Sequence, residues 1–484
     1  MEVLSRKLHR RRRSSREDTI QSIPGSHGHK FISSFKLQQQ GNLYFKTLQQ
    51  KYQQNVFRIN IGVRAIALVD NRVIRILFQN DKVTKEDGVG NYITNYNLMD
   101  SLRPSIFSDQ KDRMSRNSFI LQTLAAMQDK YIIQQTYNSI EDHFQRWNKT
   151  YQPTASKSIQ PSWDDGIQHL CCDIICRLFI DKTVNFESIF QWYVQALQKI
   201  KVPGLLKQRQ CADIYNTYIE LFKEIENSTY LPYYLNTGRQ CSLSDEYAKE
   251  NVLFGIIFNA FGSCEAIMRT CAARIGILSH EDRNQLRQEI QSTLGEGNDL
   301  SLAALTKMKR LRSFVAEVLR TSSPISLIFR RAKQDMFIQA YTGTYKISKG
   351  HLLVGNIHLA HRDPNVFPEP DTFKPFRFYD DPELIRHMIW EAGVYPDEAK
   401  NLSHQCPGKK MMMILLQLFC MKLLIHTEFQ FDVTPDWNEK HLHSLGCPDG
   451  CLTLNQFSYD PAMFKIKLSD DICNSHSPFL HCED

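Results

Sequence analysis

From about residue 110 to residue 320 the sequence contains no run suited to a strand. It repeats apolar positions at helical spacing instead, with breaks at "QPTASKSIQPS" and "VPG". So long a helical stretch commits the chain to a mainly α fold, because such helices bury their apolar stripes chiefly against one another. One helix is well marked: Leu302, Leu305, Met308, Leu311, Val315 and Val318 share a face, and Pro324 follows its end. A small β part is expected on the flanks. "VFRINIGVRAIALVDNRVIRILF", residues 56–78, reads as two short strands and a helix, and "DMFIQAYTGTYKISKGHLLVG", residues 335–355, as a hairpin and a further strand.

The 484 residues, 42% of them hydrophobic, suffice for one large core. The expected division is a basic tail over 1–21, a single domain over 22–470 whose β part comes from 22–110 and 325–360, and a C-terminal tail over 471–484. Thirteen cysteines without a signal-peptide pattern point to thiols in a reducing, cytoplasmic setting. The longest apolar run, residues 411–425, is shorter than the roughly 20 residues a bilayer requires. It is also interrupted by Gln417 and Lys422, so it is expected to be a buried helix and no transmembrane anchor is expected. Of the net charge of +7, residues 1–18 supply four, with seven Lys/Arg against three acids. Such a tail can bind nucleic acid, anionic lipid or a kinase, but it lacks interleaved aromatic residues and reads better as solvated. No nucleic-acid partner is expected.

In "NLSHQCPGKK", residues 401–410, Cys406 stands beside Pro407 and Gly408, just ahead of the apolar run. A lone buried thiol is ordinarily a small apolar filler. Zinc is a poor rival, since neither "CCDIIC" nor "CPDGC" has a second ligand pair. A Cys-His-Asn hydrolase remains open by residue count, although nothing around Cys406 carries its signature. Thiolate ligation of a heme iron is the remaining reading, and it also requires cations for the propionates, a clamp around the sulfur loop and a distal helix. Glu317 and Arg320, three apart, share a helix face, and Arg377 of "FKPFRF" is a second cation able to close a fork on Glu317. A second Glu-x-x-Arg, Glu383 to Arg386, lies after "FKPFRF" and reads as a solvated surface pair.

The order Glu-x-x-Arg, hairpin, Phe-x-Pro-x-Arg-Phe and Cys-x-Gly before an apolar helix resembles the cytochrome P-450 superfamily. The resemblance implies heme b bound through Cys406, with Gly408 letting the backbone pass close to the sulfur. There are departures: most members carry Phe and Gly seven and four residues before the cysteine, where this chain has Ala399 and Leu402. The distal stretch "LFGIIFNAFGSCEA", residues 253–266, lacks the acid–hydroxyl pair that monooxygenases use to deliver protons, and Glu265 sits too far along to replace it. That pattern is similar to the fatty-acid hydroperoxide branch: allene oxide synthases, hydroperoxide lyases, divinyl ether synthases and epoxyalcohol synthases. "IPGSHG", "VFRIN", "FNAFGS", "RRAKQD" and "HQCPGK" resemble its motifs, and the likeness spans roughly residues 22–460, more than an ordinary single domain.

The resemblance implies a substrate that brings its own activated oxygen, so neither dioxygen nor a reductase is required. Asn259 matches the branch's distal asparagine, which positions the peroxide; a helix-bending residue bonded to backbone is the plain alternative. Ungapped alignment of "SDQKDRMSRNSFILQTL" puts Arg116 on a propionate-binding cation and Ile120 on the phenylalanine whose π face stabilises developing positive charge in allene oxide synthases. A shift by one residue puts Phe119 there instead, and both residues also suit a core. With Ile120 in place the implied product is an epoxyalcohol; allene oxide synthase, hydroperoxide lyase, a conventional monooxygenase and a non-catalytic heme-binding relative are the alternatives. Lys111, Arg331 and His404 are further candidates for heme contact, with surface cations as the plain reading. The expected partner is a lipid hydroperoxide, with peripheral membrane contact where such lipids arise.

Overall fold

The computed structural model describes residues 20–25, 35–37, 39–61, 63–79, 81–84, 110–151, 162–182, 184, 187–188, 219–295, 299–389, 406–437 and 452–469. The elements, in chain order, are α1 (Asn42–Tyr52), β1 (Val56–Asn60), β2 (Arg64–Leu68), a 3-10 turn (Val73–Phe78), β3 (Val83–Thr84), α2 (Gln110–Ala126), α3 (Asp129–Thr150) and α4 (Trp163–Ile180). Next come α5 (Leu231–Gln240), α6 (Asp245–Glu250), a π-helical stretch (Asn251–Phe258), α7 (Asn259–Gly276), α8 (His280–Thr293), α9 (Leu302–Lys307) and α10 (Lys309–Thr321). Then follow β4 (Leu327–Ala332), β5 (Met336–Ala340), β6 (Gly343–Ile347), β7 (Leu352–Asn356), α11 (Ile357–Ala360), α12 (Arg377–Asp380), α13 (Lys409–His426), β8 (Thr427–Phe431) and β9 (Leu454–Tyr459). The fold is mainly α with a small β part, as the sequence led one to expect.

A five-stranded sheet in the order β1-β2-β7-β4-β3 joins the two strand-bearing segments, with β2 and β7 parallel (Ile66 opposite Leu353) and the other pairs antiparallel. β5 and β6 form the expected hairpin, in which Phe337 pairs with Lys346. The pairing of β8 with β9 is an addition: "TEFQF" and "LNQFSY" are too short and too polar on alternate positions to stand out from loop. Segments 1–19, 85–109 and 470–484 lie outside the described residues, so the tail boundaries are not tested there.

Every residue of α13 from Met411 to His426 is buried, and its two polar interruptions are both accommodated. Gln417 donates to the Leu305 carbonyl at 3.1 Å, and the Lys422 ammonium pairs with Glu141 of α3 and lies within 3.3 Å of the Tyr137 and Tyr459 hydroxyls. Burying that lysine is tolerable only because its charge is matched. Among the described residues one stretch, Asp245–Gly276, is long and apolar enough to cross a bilayer, but its apolar window is 65% buried within the fold, as befits a central helix.

The helix expected over 302–318 is in fact two. Met308 leaves helical geometry (φ −76°, ψ 72°), and α10 restarts at Lys309. Glu289 of α8 makes the break possible, because its carboxylate accepts from the backbone N–H groups of Arg310 (2.8 Å) and Leu311 (2.9 Å). These are among the donors a new helix start leaves without partners. The apolar spacing survives across the break, so periodicity alone cannot reveal it.

Candidate active site

Cys406 lies immediately before α13, where Gly408 caps the helix. Of the eight cysteines among the described residues it alone is exposed; the other seven are buried, and none of the eight is in a disulfide. A thiol at a helix N-terminus is favoured as thiolate, the form that binds metal. Gly408 has φ −87°, so its role is not left-handed backbone. It provides room, since a β-carbon there would meet nothing nearer than the Met411 methyl at 3.9 Å. The donor set, an accessible soft sulfur beside an open glycine face, therefore fits a heme-thiolate centre.

The distal wall is built where α2 packs on the π-helical stretch. Removing the β-carbon at Gly255 creates a notch, and Ile120 fills it: a β-carbon on Gly255 would lie 2.9 Å from Ile120 Cδ1. Asn251, Gly255 and Asn259 follow at four-residue steps on that wall. The Asn259 amide nitrogen donates to the carbonyls of Phe254 (2.6 Å) and Gly255 (3.4 Å), groups that the widened π turn turns toward it. Because both partners are acceptors, the atom facing them must be the NH2, and the amide oxygen is left to accept. Backbone bonding, the plain alternative for Asn259, is therefore present, and it fixes the side chain's orientation.

Asn251 is a residue the sequence reading missed. It is 3% exposed, and its amide donates to the Tyr247 carbonyl at 2.7 Å, while its oxygen has no partner among the described residues and sits beside the Gly255 notch. Its position four before the glycine in "NVLFGIIFN" was the available signal. At Glu265 burial raises the carboxyl to about 7, and its charged surroundings are Arg269 and the α4 carboxylate Asp164.

Glu317, Arg320 and Arg377 meet as a buried triad. Arg320 grips both carboxylate oxygens at 2.7 and 2.8 Å, and Arg377 Nε lies 3.1 Å from each. Arg320 also donates to the carbonyls of His361 and Pro370, and Arg377 to those of Glu369 and Thr372. Their hydrogens are directed at the 361–377 segment, so these cations clamp backbone rather than reach toward a propionate. Glu383 and Arg386 form the expected surface pair, 2.8 Å apart and 70% or more exposed.

Arg116 is buried, its guanidinium 5.2 Å from the Tyr247 ring centroid, at the same α2–distal-helix junction as Ile120. Phe119 is fully buried in the helical core. Arg331 donates to the Gly350 carbonyl at the β6–β7 turn, which engages one of its nitrogens away from the helical wall. The Lys111 side chain, Ala399, Leu402 and His404 lie outside the described residues.

The family model described as Cytochrome P450 matches residues 279–452. Divinyl ether synthase CYP74D2 of Solanum tuberosum is 25% identical over 459 residues, 86% of this chain and 94% of the relative. The chloroplastic allene oxide synthase of Arabidopsis thaliana is 25% identical over 461 residues, 85% of this chain and 86% of the relative. The chain is similar to the cytochrome P450 superfamily, and along most of its length to these enzymes of the fatty-acid hydroperoxide branch. Two solved cytochromes P450 share the fold: retinoic acid-bound cyanobacterial CYP120A1 (TM-score 0.69, 19% identity, 90% of this chain and 99% of that one) and OleT in complex with arachidonic acid (TM-score 0.66, 12% identity, 91% and 99%). The cofactor that this likeness implies is heme. Cys406 is the residue suited to hold it.

Proposed function

We propose that this protein rearranges polyunsaturated fatty-acid hydroperoxides, without dioxygen or a reductase, chiefly to epoxyalcohols. When bound, the heme supplies cleavage of the peroxide O–O bond. Cys406 holds the cofactor from the proximal side, and Arg116 and His404 are the cations proposed for its propionates. The Asn259 amide oxygen accepts from the hydroperoxide O–H and so aligns the peroxide. No side chain beside Asn259 is asked to deliver a proton, because the hydroperoxide and the epoxyalcohol are isomers and the conversion needs no external electrons or protons.

The observation that carries the product assignment is Ile120 seated against Gly255, one turn from Asn259. An aliphatic wall offers no π face to a developing carbocation, which favours return of the hydroxyl over loss of a proton. The relatives at 25% identity along most of the chain support the hydroperoxide chemistry. The cysteines, none of them in a disulfide among the described residues, suit a cytoplasmic, reducing setting.

The test uses the purified holoprotein and one defined fatty-acid hydroperoxide, under argon and without NADPH. Rapid consumption with epoxyalcohol as the main product is expected. A need for NADPH and a reductase would identify a monooxygenase, and no consumption at all a non-catalytic heme protein.

A further inference from the structure

Val252, Leu253, Phe254, Ile256 and Ile257 of the π-helical stretch are all buried in the helical core. The line of Asn251, Gly255 and Asn259 differs. In an α-helix a four-residue step overshoots a full turn by about 40°. The wider π turn, whose bonds run to the fifth residue, brings the three residues more nearly under one another. Gly255 and Asn259 are only half-buried, so this line borders space that the packing leaves open.

Asn251 brings to that line a buried acceptor with nothing to accept from. Its NH2 donates to the Tyr247 carbonyl, and Tyr247 is itself held, by its N–H on Ser244 Oγ at 3.2 Å and by the Arg116 guanidinium over its ring. The amide cannot turn over, because an oxygen in place of the NH2 would set two acceptors together. Oδ1 therefore stays beside the notch: the atoms nearest a β-carbon built on Gly255 are Ile120 Cδ1 at 2.9 Å, Ile120 Cγ1 at 3.6 Å and this oxygen at 3.7 Å. It has no donor among the described residues. Burying an acceptor in this way is costly, and the cost is recovered when a bound molecule brings the missing donor.

We propose that Asn251 directs the product: its Oδ1 accepts the O–H of the hydroxyl as that group bonds to the carbon chain. This role rests on the epoxyalcohol reading of the site. In that isomerisation the O–O bond and one C=C π bond break and two C–O bonds form. The inner oxygen closes the epoxide, and the outer oxygen, still carrying its hydrogen, bonds to the carbon beyond the epoxide, so no electron or proton is gained or lost. The hydrogen that starts on the Asn259 oxygen ends on the Asn251 oxygen, further along the same face. Two acceptors held in line thus set which carbon receives the hydroxyl. An ionised carboxylate is refused at Asn251, since it has no hydrogen to give.

The experiment compares the parent holoprotein with Asn251→Leu, which keeps the bulk of the side chain and removes both polar atoms. A second variant, Asn251→Asp, carries a buried acid held neutral, which gives its O–H to the Tyr247 carbonyl and keeps an oxygen to accept. Consumption and products of one defined hydroperoxide are normalised to heme content, and the urea midpoint is measured alongside. Asn251→Leu should consume the hydroperoxide within about twofold of the parent rate, because alignment of the peroxide relies on Asn259, while its epoxyalcohol share falls about tenfold relative to other products. The hydroxyl that still forms should be spread over more than one carbon. Asn251→Asp should recover most of the parent pattern. Thr136→Val, which removes a fully buried hydroxyl of α3 that has no partner among the described residues, should leave products and rate alone. An unchanged product pattern in Asn251→Leu would show that the oxygen serves only a bound water or the fold, and would overturn the assignment. An equal fall in consumption and in every product would overturn it too, as the mark of a merely structural role. A parent protein that makes no epoxyalcohol removes the reading of the site and this role together, whereas a parent that makes it in a pattern Asn251→Leu leaves alone removes only the role of Asn251.

Discussion

Ile120 Cδ1 occupies the notch that Gly255 leaves in the distal helix, where a β-carbon would come within 2.9 Å of it. The contact locks position 120 of α2 against the π-helical stretch, where the proposed function places the reacting chain. Ile120→Phe should turn a π face toward the reacting chain and raise the allene oxide share of product about tenfold, equivalent to about 1.4 kcal/mol in relative barrier. The larger ring should cost about 1–3 kcal/mol in stability. Ile120→Leu should leave the product pattern as it was. Chromatography of products from one hydroperoxide decides it; an unchanged pattern in Ile120→Phe would remove the basis for the epoxyalcohol assignment.

Cys406→Ser substitutes a hard hydroxyl for the soft sulfur. The thiolate absorption signature should vanish and hydroperoxide turnover should fall by at least about a thousandfold. Both surviving intact would place the metal ligand elsewhere.

Glu317 neutralises two guanidinium groups, and all three residues are 5% exposed or less. Glu317→Ala leaves both cations buried without a counter-charge, a loss of about 3–5 kcal/mol. The urea midpoint should drop accordingly, and heme retention with it. Arg377→Lys should be milder but still destabilising, because an ammonium cannot reproduce the fork. A wild-type midpoint in Glu317→Ala would show that the triad is dispensable.

Buried histidines should limit tolerance to acid. Burial drives His361 from 6.5 down to about 3 and His426 down to about 4, and Nδ1 of each has no partner among the described residues. His361 Nε2 accepts from the Ile389 N–H at 2.9 Å, which requires that nitrogen unprotonated. A depressed histidine pKa means that the unfolded chain binds the proton more readily. The stability these groups contribute is therefore present above pH 6.5 and is lost as pH falls toward 4 and then 3, by up to about 1.4 kcal/mol per pH unit per group. Urea unfolding between pH 7.5 and 4.5 should show this slope, and His426→Gln should flatten it. A profile of equal steepness in that variant would assign acid lability to other groups.

Much of this was legible in the sequence because it is local. The strands over 56–68 and 336–356, the buried helix after Gly408 and the Glu317–Arg320 pair all follow from spacing within one element. What escaped depends on partners distant in the chain. The break at Met308 relies on a carboxylate from Glu289, on the preceding helix. Asn251 looked like any polar residue opening an apolar run, until Gly255 and Ile120 were placed beside it.

The π-helical stretch has an evolutionary consequence. Each π turn accommodates one residue beyond the α count, so deleting a single residue between 251 and 258 would let regular winding resume. The helix on either side would keep its facing, and the change would fall on the 251–258 stretch itself, whose carbonyls would turn back along the axis and away from the Asn259 amide. Loss of one codon would thus remove the anchor of Asn259 while the rest of the helix stayed as it is.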